Sequence, residues 1–297
     1  MSIQVSECYI YPLKSAQGTC VDSLELTPKG PRHDRLWMLV KDTPEEKGKF
    51  ISQRDKGYEK LSLISTVIVN EDQTHFTLPN KDTLSISKSD LTKYNGSVTV
   101  WGDTCQALDA GDKAADLFSD HFGQPCRLVK MADNFVRPTS PNYSQPDDQV
   151  SFADGFPLLV TNHASLEALK EHMAEDNDVN MQRFRPNIVL EKASAFEEDV
   201  IHKVRIGSAI LEFVKPCTRC KITTIDQQTG LSLSNEPLKT LTKTRRGKGN
   251  GLQGVFFGQN AIARKLGRIN IGDRVEILAK RDLHPALQNA LLRPQIL

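Results

Sequence analysis

Short apolar segments separated by turn-forming residues most limit how this 297-residue chain can fold. Such segments occur at residues 61–69, 75–78, 84–86 and 97–101, and stretches rich in Asn, Asp, Gly and Pro separate them. Those four residue types favour tight turns, and short β-branched or apolar runs between turns are typical of strands. This part of the chain is therefore predicted to form a compact β-rich domain.

Other segments predict further strands and a few helices. We expect strands at residues 3–11, 36–40, 158–161 and 188–191. Apolar residues at helical spacing predict a helix from Asp112 to Phe122, which Gly123 should end. Asn162 is placed to cap a second helix. The predicted fold class is α+β and mostly β.

The length of the chain predicts about two domains. Residues 131–150 are polar and proline-rich, so they form either a domain linker or a long loop over a site. Residues 205–210 and 270–275 share an apolar-Gly-polar pattern that suggests two edges of one β-barrel. The basic, glycine-rich stretch 244–251 lacks interleaved aromatic residues, which favours a mobile loop over a nucleic-acid site.

Composition excludes several classes of function. The net charge is +1, so no overall field favours nucleic acid or an anionic membrane. No apolar run is long enough for a membrane-spanning helix, and no signal peptide is recognisable. Six cysteines without a framework spacing are typical of reduced thiols, so we expect a cytoplasmic protein without a nucleic-acid or membrane partner.

The strongest candidate for chemistry is the Cys217-Thr218-Arg219-Cys220 motif. Residues 209–214 should form a strand entering it, and residues 222–225 a strand leaving it. Pro216 cannot donate to a sheet, so the ladder should break there. The cations beside the motif would stabilise a thiolate, the form of cysteine that binds metals and attacks electrophiles.

Three other interpretations of this motif stay open. It could be half of a structural zinc site, although the remaining four cysteines are scattered singly and zinc needs four ligands. It could be a redox pair of the thioredoxin kind, which belongs near a βαβ pattern. Finally, the two thiols could be inert residues in a turn.

Several polar residues elsewhere could bind an anion. Lys14 and Ser15 follow the first strand, and both can donate to phosphate oxygens. Arg35 stands just before a buried strand, where its guanidinium either donates two hydrogen bonds to an anion or pairs with Asp34. Asp154, before a glycine, is a turn former or a ligand-facing carboxylate. A rigid donor platform at the entrance to another strand is expected from Arg185-Pro186-Asn187.

Taken together, these motifs resemble the MOSC-domain family, and in particular the bacterial relatives of the mitochondrial amidoxime-reducing component. The matching stretches occur in order over about residues 3 to 280. They are Tyr11-Pro12-Leu13-Lys14-Ser15, Asp34-Arg35-Leu36-Trp37, Ser151-Phe152-Ala153-Asp154-Gly155, Phe184-Arg185-Pro186-Asn187, Lys215-Pro216-Cys217-Thr218-Arg219-Cys220, Glu236-Pro237-Leu238-Lys239-Thr240-Leu241 and Phe257-Gly258-Gln259-Asn260. Relatives carry serine where this chain has Ala153.

The resemblance implies a β-rich N-terminal domain (1–128), a MOSC β-barrel domain (129–280) and a tail or linker stub (281–297). It also implies a molybdenum–molybdopterin cofactor held between the two domains. Cys220 would ligate the metal and act in catalysis with Asp154. The residues that would bind the cofactor are Lys14, Ser15, Arg35, Arg185, Asn187 and Arg219.

Two functions follow from the resemblance. The first is reduction of N-hydroxylated compounds, such as hydroxylamino bases and amidoximes, with oxygen removed as water. The second is a carrier that holds persulfide sulfur on Cys220 for cofactor sulfuration. Larger bacterial relatives carry a ferredoxin-like domain, but Cys220 is the last cysteine here, so no iron–sulfur cluster is expected in this chain. A separate flavin reductase or ferredoxin-like protein should then deliver electrons, unless the chain is a truncated form.

Overall fold

The computed structural model describes residues 2–173 and 179–294, which form a mostly β structure, as predicted. The strands, β1 to β21 in chain order, are Gln4–Ile10, Thr19–Cys20, Ser23–Thr27, Gly30–Pro31, Trp37–Lys41, Ser65–Asn70, Gln73–Thr77, Thr83–Ser87, Thr92–Lys93, Val98–Val100, Asp103–Cys105, Ala107–Asp109, Cys126–Met131, Leu158–Asn162, Ile188–Glu191, Ile201–Ile206, Ala209–Thr218, Arg246–Gly249, Leu252–Lys265, Arg268–Asn270 and Val275–Lys280. The α-helices of the described residues, α1 to α3, are Asp112–Phe122, His163–Lys170 and Leu238–Thr244. Short 3₁₀ turns occur at Glu59–Leu63, Lys88–Asp90, Met181–Phe184, Glu197–Asp199, Lys221–Thr224 and Pro285–Leu287. All the described helices are too short or too polar to span a lipid bilayer.

The largest sheet closes into a barrel. Its strands run in the order β2, β1, β15, β14, β19, β17, β16 and β21, with β18 paired to β19 as a hairpin. The amide of Val275 donates to the carbonyl of Ile3 at 2.9 Å, and Gln4 bridges Arg274, so the last strand returns to the first. Alternate residues of these strands fill the interior, including Val160, Leu190, Leu211 and Phe213. The two segments with the shared glycine pattern both belong to this sheet: residues 205–210 join β16 to β17, and residues 270–275 lead into β21, which pairs with β16.

A second layer forms from the N-terminal part of the chain. The sheet β5-β13-β12-β9 and the meander β6-β7-β8 pack with helix α1 around a separate apolar core that includes Leu39, Phe76 and Phe118. Helix α1 has the bounds expected from its apolar spacing, and Gly123 ends it in a left-handed conformation. Strand β1 pairs instead with β15, and β3 pairs with β20, so strand pairing crosses the predicted boundary at residue 128.

The predicted strand at residues 209–214 is confirmed by β17, but the predicted ladder break at Pro216 and the predicted strand at 222–225 were wrong. Strand β17 continues through Pro216, which pairs with Gln259 between two register shifts. Such bulges accommodate the missing proline donor without ending the ladder. After Cys220 the chain forms a 3₁₀ turn, because the hydroxyls of Thr223 and Thr224 bond back to the carbonyls of residues 220 and 221 at 3.0 and 2.9 Å.

Two further segments differ from the sequence prediction. Residues 61–69 are not one strand but the end of a 3₁₀ turn followed by β6. The basic stretch 244–251 includes β18 and the turn of a hairpin, and a Cβ added at Gly247 would lie 1.6 Å from the Ala286 carbonyl oxygen. Only a residue without a side chain permits that approach. The tail packs there, since Ala286, Leu287 and Ala290 are buried against Leu252 and Phe256.

A buried polar network holds one end of the barrel. Arg245 donates to Asp199 at 2.8 Å, and Gln259 donates to the other oxygen of that carboxylate at 2.7 Å. Next to them, Glu198 accepts hydrogen bonds from Ser165 at 2.9 Å and from Asn162 at 3.2 Å. Burial and the neighbouring Asp199 carboxylate raise the pKa of Glu198 to about 8.

The raised pKa of Glu198 predicts that stability falls as the pH rises from about 4.5 to about 8. In that window the folded chain keeps the proton on Glu198 whereas the unfolded chain has lost it, so raising the pH favours unfolding. The slope contributed is at most about 1.4 kcal/mol per pH unit. Glu198→Gln should flatten the pH dependence of the unfolding free energy, measured in urea, while the exposed control Glu171→Gln should not. An unchanged slope in Glu198→Gln would contradict this assignment.

Candidate functional site

One cleft, of about 800 Å³ when the space open to solvent is counted, collects every residue that the sequence marked as a site candidate. They are Lys14, Ser15, Arg35, Asp154, Arg185, Asn187, Arg219 and Cys220. The first three come from loops at the end of β1 and before β5, whereas the others come from the barrel half of the chain.

The loop after β1 presents Lys14 to the cleft. The amide of Lys14 donates to the carbonyl of Trp37 at 2.8 Å, which fixes the loop to the start of β5. The Lys14 ammonium is buried and lies 2.6 Å from Asp154 Oδ1. Burial lowers the pKa of Lys14, and the Asp154 carboxylate acts in the opposite sense. Lys14 is therefore a cation held in place at the wall of the cleft.

Asp154 is the exposed partner of this ion pair. Its side chain is 63% exposed, so solvent screens the pair and its contribution to stability is small. Partial burial acts to raise the pKa of Asp154, but the Lys14 ammonium outweighs it and holds the pKa below its usual range. Lys14 and the indole of Trp101 both donate to Oδ1. Among the described residues no donor reaches Oδ2, so that oxygen remains available to a ligand.

Arg137 positions the loop that carries Asp154. Its guanidinium is 2% exposed and donates to the carbonyls of Ser151, Ala153 and Asp154 at 2.8, 2.5 and 3.0 Å. A further bond reaches Asp103 at 2.8 Å. The proline-rich segment that contains Arg137 is therefore an ordered loop attached to the site, which agrees with the second of the two predicted alternatives.

Two arginines enclose one tyrosine at the base of the cleft. The guanidinium carbons of Arg35 and Arg185 lie 4.2 and 4.3 Å from the ring centroid of the buried Tyr11. Arg35 also donates to Asp34 Oδ2 at 2.6 Å, so the predicted pairing with Asp34 is present. Asn187 joins the cluster, since its carbonyl oxygen accepts from Arg35 at 3.1 Å. Stacking on an aromatic face holds both guanidinium planes rigidly.

Strained backbone coincides with the candidate residues. Ser15, Arg35 and Arg185 have φ values of 64°, 50° and 56°, in the left-handed region. An L-residue in that region costs about 1–2 kcal/mol, and glycine is the usual occupant. Such strain persists where the surroundings fix the conformation, and it is concentrated at functional sites. Here it aims three polar side chains at one cleft.

A pair of buried glutamines links the two halves of the cleft. Gln53 and Gln227 exchange reciprocal amide hydrogen bonds of 3.1 and 3.0 Å. Gln53 also donates to the carbonyl of Ser15 at 2.6 Å, and Arg185 donates to Gln227 at 3.2 Å. The loop after Cys220 is thereby joined to the loop that holds Ser15.

The two cysteines of the motif have different surroundings. Both are partly exposed and line the cleft. Arg219 Nη1 donates to the sulfur of Cys217 at 3.0 Å, and Nη2 donates to the carbonyl of Phe184 at 2.6 Å. The sequence predicted neighbouring cations for the motif without distinguishing its two cysteines, whereas in the structure Arg219 contacts Cys217. Cys220 stands at the start of the 3₁₀ turn, with its carbonyl used by Thr223.

The cleft fits an anionic cofactor that brings its own metal. Five cationic side chains line it, namely Lys14, Arg35, Arg54, Arg185 and Arg219. Arg185 Nη2 and Arg219 Nε are buried, and among the described residues no acceptor reaches either of them. A buried guanidinium donor without an acceptor is costly, and an anionic ligand would satisfy it. No group of three or more His, Cys, Asp or Glu in the described residues could hold a metal, so a metal at Cys220 would take its other ligands from a cofactor.

Sequence reasoning missed six residues of the site. They are Tyr11, Gln53, Arg54, Trp101, Arg137 and Gln227. Tyr11 stands inside a motif that the sequence singled out, yet nothing in that motif predicts its stacking partners. The two glutamines are 174 positions apart and carry no local signal. Trp101 is the one with a usable signal, because a tryptophan directly before a glycine falls in a turn that would otherwise favour small residues.

Comparison with known proteins gives consistent matches. A family model described as the MOSC N-terminal beta barrel domain matches residues 2–125, and one described as the MOSC domain matches residues 147–276. The chain is 33% identical to mitochondrial amidoxime-reducing component 1 of Mus musculus over 289 residues, which cover 93% of this chain and 82% of that protein. It is 32% identical to component 2 of Bos taurus over 288 residues, with 91% and 82% covered. It is also 30% identical to the molybdenum cofactor sulfurase of Danio rerio over 270 residues, which cover 83% of this chain but 31% of that protein.

Proposed function

The chain belongs to the MOSC-domain family, and from this membership and the geometry of its cleft we propose that it is a molybdenum-cofactor-dependent reductase of N-hydroxylated compounds. One observation carries the proposal: a cation cluster built largely from the N-terminal half faces a partly exposed cysteine from the barrel in the same cleft. A protein that only displayed a thiol would not need the cation cluster. The named relatives are amidoxime-reducing components, which supports this class of substrate.

The cofactor would supply a metal that accepts electrons and takes oxygen from the substrate, while the protein binds and orients both. We assign Cys220 as the single protein ligand, since a thiolate suits a metal already held by sulfur ligands. Lys14, Ser15 and Arg35 would bind the anionic tail of the pterin, with Arg185, Asn187 and Arg219 around it. The unpaired donors on Arg185 and Arg219 support this arrangement.

Asp154 would orient the substrate rather than donate a proton. Its lowered pKa keeps the carboxylate ionised at neutral pH, which makes it a poor acid and a good hydrogen-bond acceptor. Its Oδ2 would accept a hydrogen bond from an N–H or O–H of the substrate. The reaction consumes two electrons and two protons and releases water, and the protons would reach the open cleft from solvent.

A second candidate function is a carrier of persulfide sulfur. The partly exposed Cys220 would carry the sulfur, and the guanidinium of the adjacent Arg219, which donates to Cys217, places a cation beside it. The relative named as a molybdenum cofactor sulfurase is compatible with this role. Protein-bound sulfur that cyanide releases from a metal-free preparation would favour the carrier, whereas bound molybdenum and turnover favour the reductase.

We further propose that a separate protein delivers the electrons, either a flavin reductase or a ferredoxin-like protein, in the reducing cytoplasm. The expected result is no reduction of an amidoxime with NADH or NADPH alone, and steady reduction once a reduced viologen dye or such a partner is added. Production of the amidine is measured by chromatography, and the dye with substrate but without protein serves as the control. Failure with the dye would refute the reductase proposal, and turnover with NADPH alone would refute the separate donor.

A further inference from the structure

A second cleft lies beside the first and shares Arg54 with it. Its volume is about 1150 Å³ when the space open to solvent is counted. Phe50, Arg54 and Trp101 form one part of its lining, and charged residues from 45 to 49 form another. The indole nitrogen of Trp101 donates to Asp154 Oδ1 at 3.2 Å, so this tryptophan contacts a residue that lines the first cleft together with Cys220.

Trp101 is an unusual residue for its position. It occupies the first place of the two-residue turn between β10 and β11, where Val100 pairs with Asp103. Its φ is 57°, a conformation that glycine adopts readily and a tryptophan rarely does. Gly102 stands one residue later, so this turn keeps the bulky side chain at the strained position. Trp101 is also 53% exposed, which leaves a large apolar surface in contact with water.

The contacts around Trp101 hold its ring in one orientation. The guanidinium carbon of Arg54 lies 4.2 Å from the ring centroid. The ring of Phe50 lies 5.2 Å away at an interplanar angle of 59°. Together these three side chains form an aromatic and cationic surface next to Asp154, in which the indole of Trp101 is the largest plane. Surfaces of this kind bind planar π systems by stacking.

We infer that this second cleft receives the organic part of the substrate and that Trp101 gives the enzyme a preference for aromatic over aliphatic N-hydroxylated compounds. This inference rests on the proposed function, since the reacting N–O group would lie in the first cleft near Asp154 and Cys220. A planar ring attached to that group would then extend into the second cleft and stack on the indole of Trp101. An aliphatic group has no π face and gains little from this surface.

The test compares benzamidoxime with acetamidoxime, which share the reacting group and differ in a phenyl against a methyl substituent. Trp101→Ala in the cofactor-loaded protein should raise the KM for benzamidoxime by about 3- to 10-fold. The same variant should leave the KM for acetamidoxime within about twofold. Trp101→Phe keeps a ring and should retain the preference. Both variants lose the bond to Asp154, so a drop in kcat shared by the two substrates measures that bond instead.

Fluorescence provides a readout that does not depend on turnover. The chain contains two tryptophans, and Trp37 is 3% exposed, so a change of tryptophan emission on adding benzamidoxime reports mainly on Trp101. Saturable quenching is expected for the wild type, together with its loss in Trp101→Phe and its absence with acetamidoxime. Val67→Ala, which removes an equally exposed apolar side chain from β6, is the matched control and should change nothing.

The outcomes separate this inference from the proposed function. The inference is overturned if the wild type reduces both amidoximes with the same kcat/KM and the Trp101 variants change that value equally for both. That result would leave the proposed reductase function intact. Loss of pterin from Trp101→Ala assigns the surface to the cofactor and also overturns it. No reduction by the wild type refutes the proposed function, and the fluorescence titration then decides whether the surface binds aromatic compounds at all.

Discussion

The Cys220→Ser variant is expected to lose the reduction of amidoximes, while Cys217→Ser keeps most of it. Cys220 would provide the only protein ligand to the metal, and a serine hydroxyl is a hard, weakly acidic replacement for a soft thiolate. Changes to residues that merely support a metal ligand cost about 10–100-fold, so loss of the ligand itself should exceed about 100-fold. Activity with a reduced viologen dye and bound molybdenum should fall together.

Cys217→Ser is the matched control for that prediction. Cys217 lines the same cleft two residues before Arg219, and its sulfur accepts the Arg219 hydrogen bond at 3.0 Å. A serine oxygen can accept the same bond, so folding and the position of Arg219 should be preserved. Equal loss in both variants, with zinc in the wild type, would refute the assignment of Cys220. Loss in Cys217→Ser alone would transfer the role to Cys217.

The Arg35→Ala variant is expected to lose both pterin and stability. Its guanidinium is the ionic partner of Asp34, which is 1% exposed and accepts bonds from Tyr11 N and Asn187. Burial raises the pKa of Asp34, and the Arg35 charge acts against that shift. Removing one partner of a buried ion pair costs about 3–5 kcal/mol, measured as the free energy of unfolding in urea.

A double variant separates folding from cofactor binding. Asp34→Asn together with Arg35→Ala removes both charges and should recover much of the lost stability, because no isolated charge stays buried. Pterin released from the double variant should nevertheless remain low, since the donor to the anionic tail is still absent. Full pterin occupancy in either variant that lacks Arg35 would show that Arg35 does not bind the cofactor.

Local patterns predicted those elements whose signals lie within the element itself. Helix α1 has the predicted bounds because apolar spacing and Gly123 both act locally. Strand β15 matches the predicted 188–191 for the same reason. The segment after Cys220 was mispredicted because threonines favour strands by propensity, yet their hydroxyls here bond to backbone carbonyls within one turn.

The residues of the candidate site were easier to predict than their arrangement. Motifs brought Lys14, Arg35 and Cys220 to attention, and the fold places all three in one cleft. The stacking of Arg185 on Tyr11 and the bond from Arg35 to the Arg185 carbonyl are contacts between segments at least 150 positions apart. No local propensity encodes such contacts, so only the folded chain reveals them.

Metal and pterin content of the freshly purified wild-type chain tests the central claim most directly. Elemental analysis should find molybdenum close to one atom per chain, and acid release should yield a matching amount of pterin. In Cys220→Ser the molybdenum should be depleted, while pterin is retained through the cationic residues. Zinc in place of molybdenum, or a folded chain that contains neither molybdenum nor pterin when expressed in a host that makes the cofactor, would contradict the account.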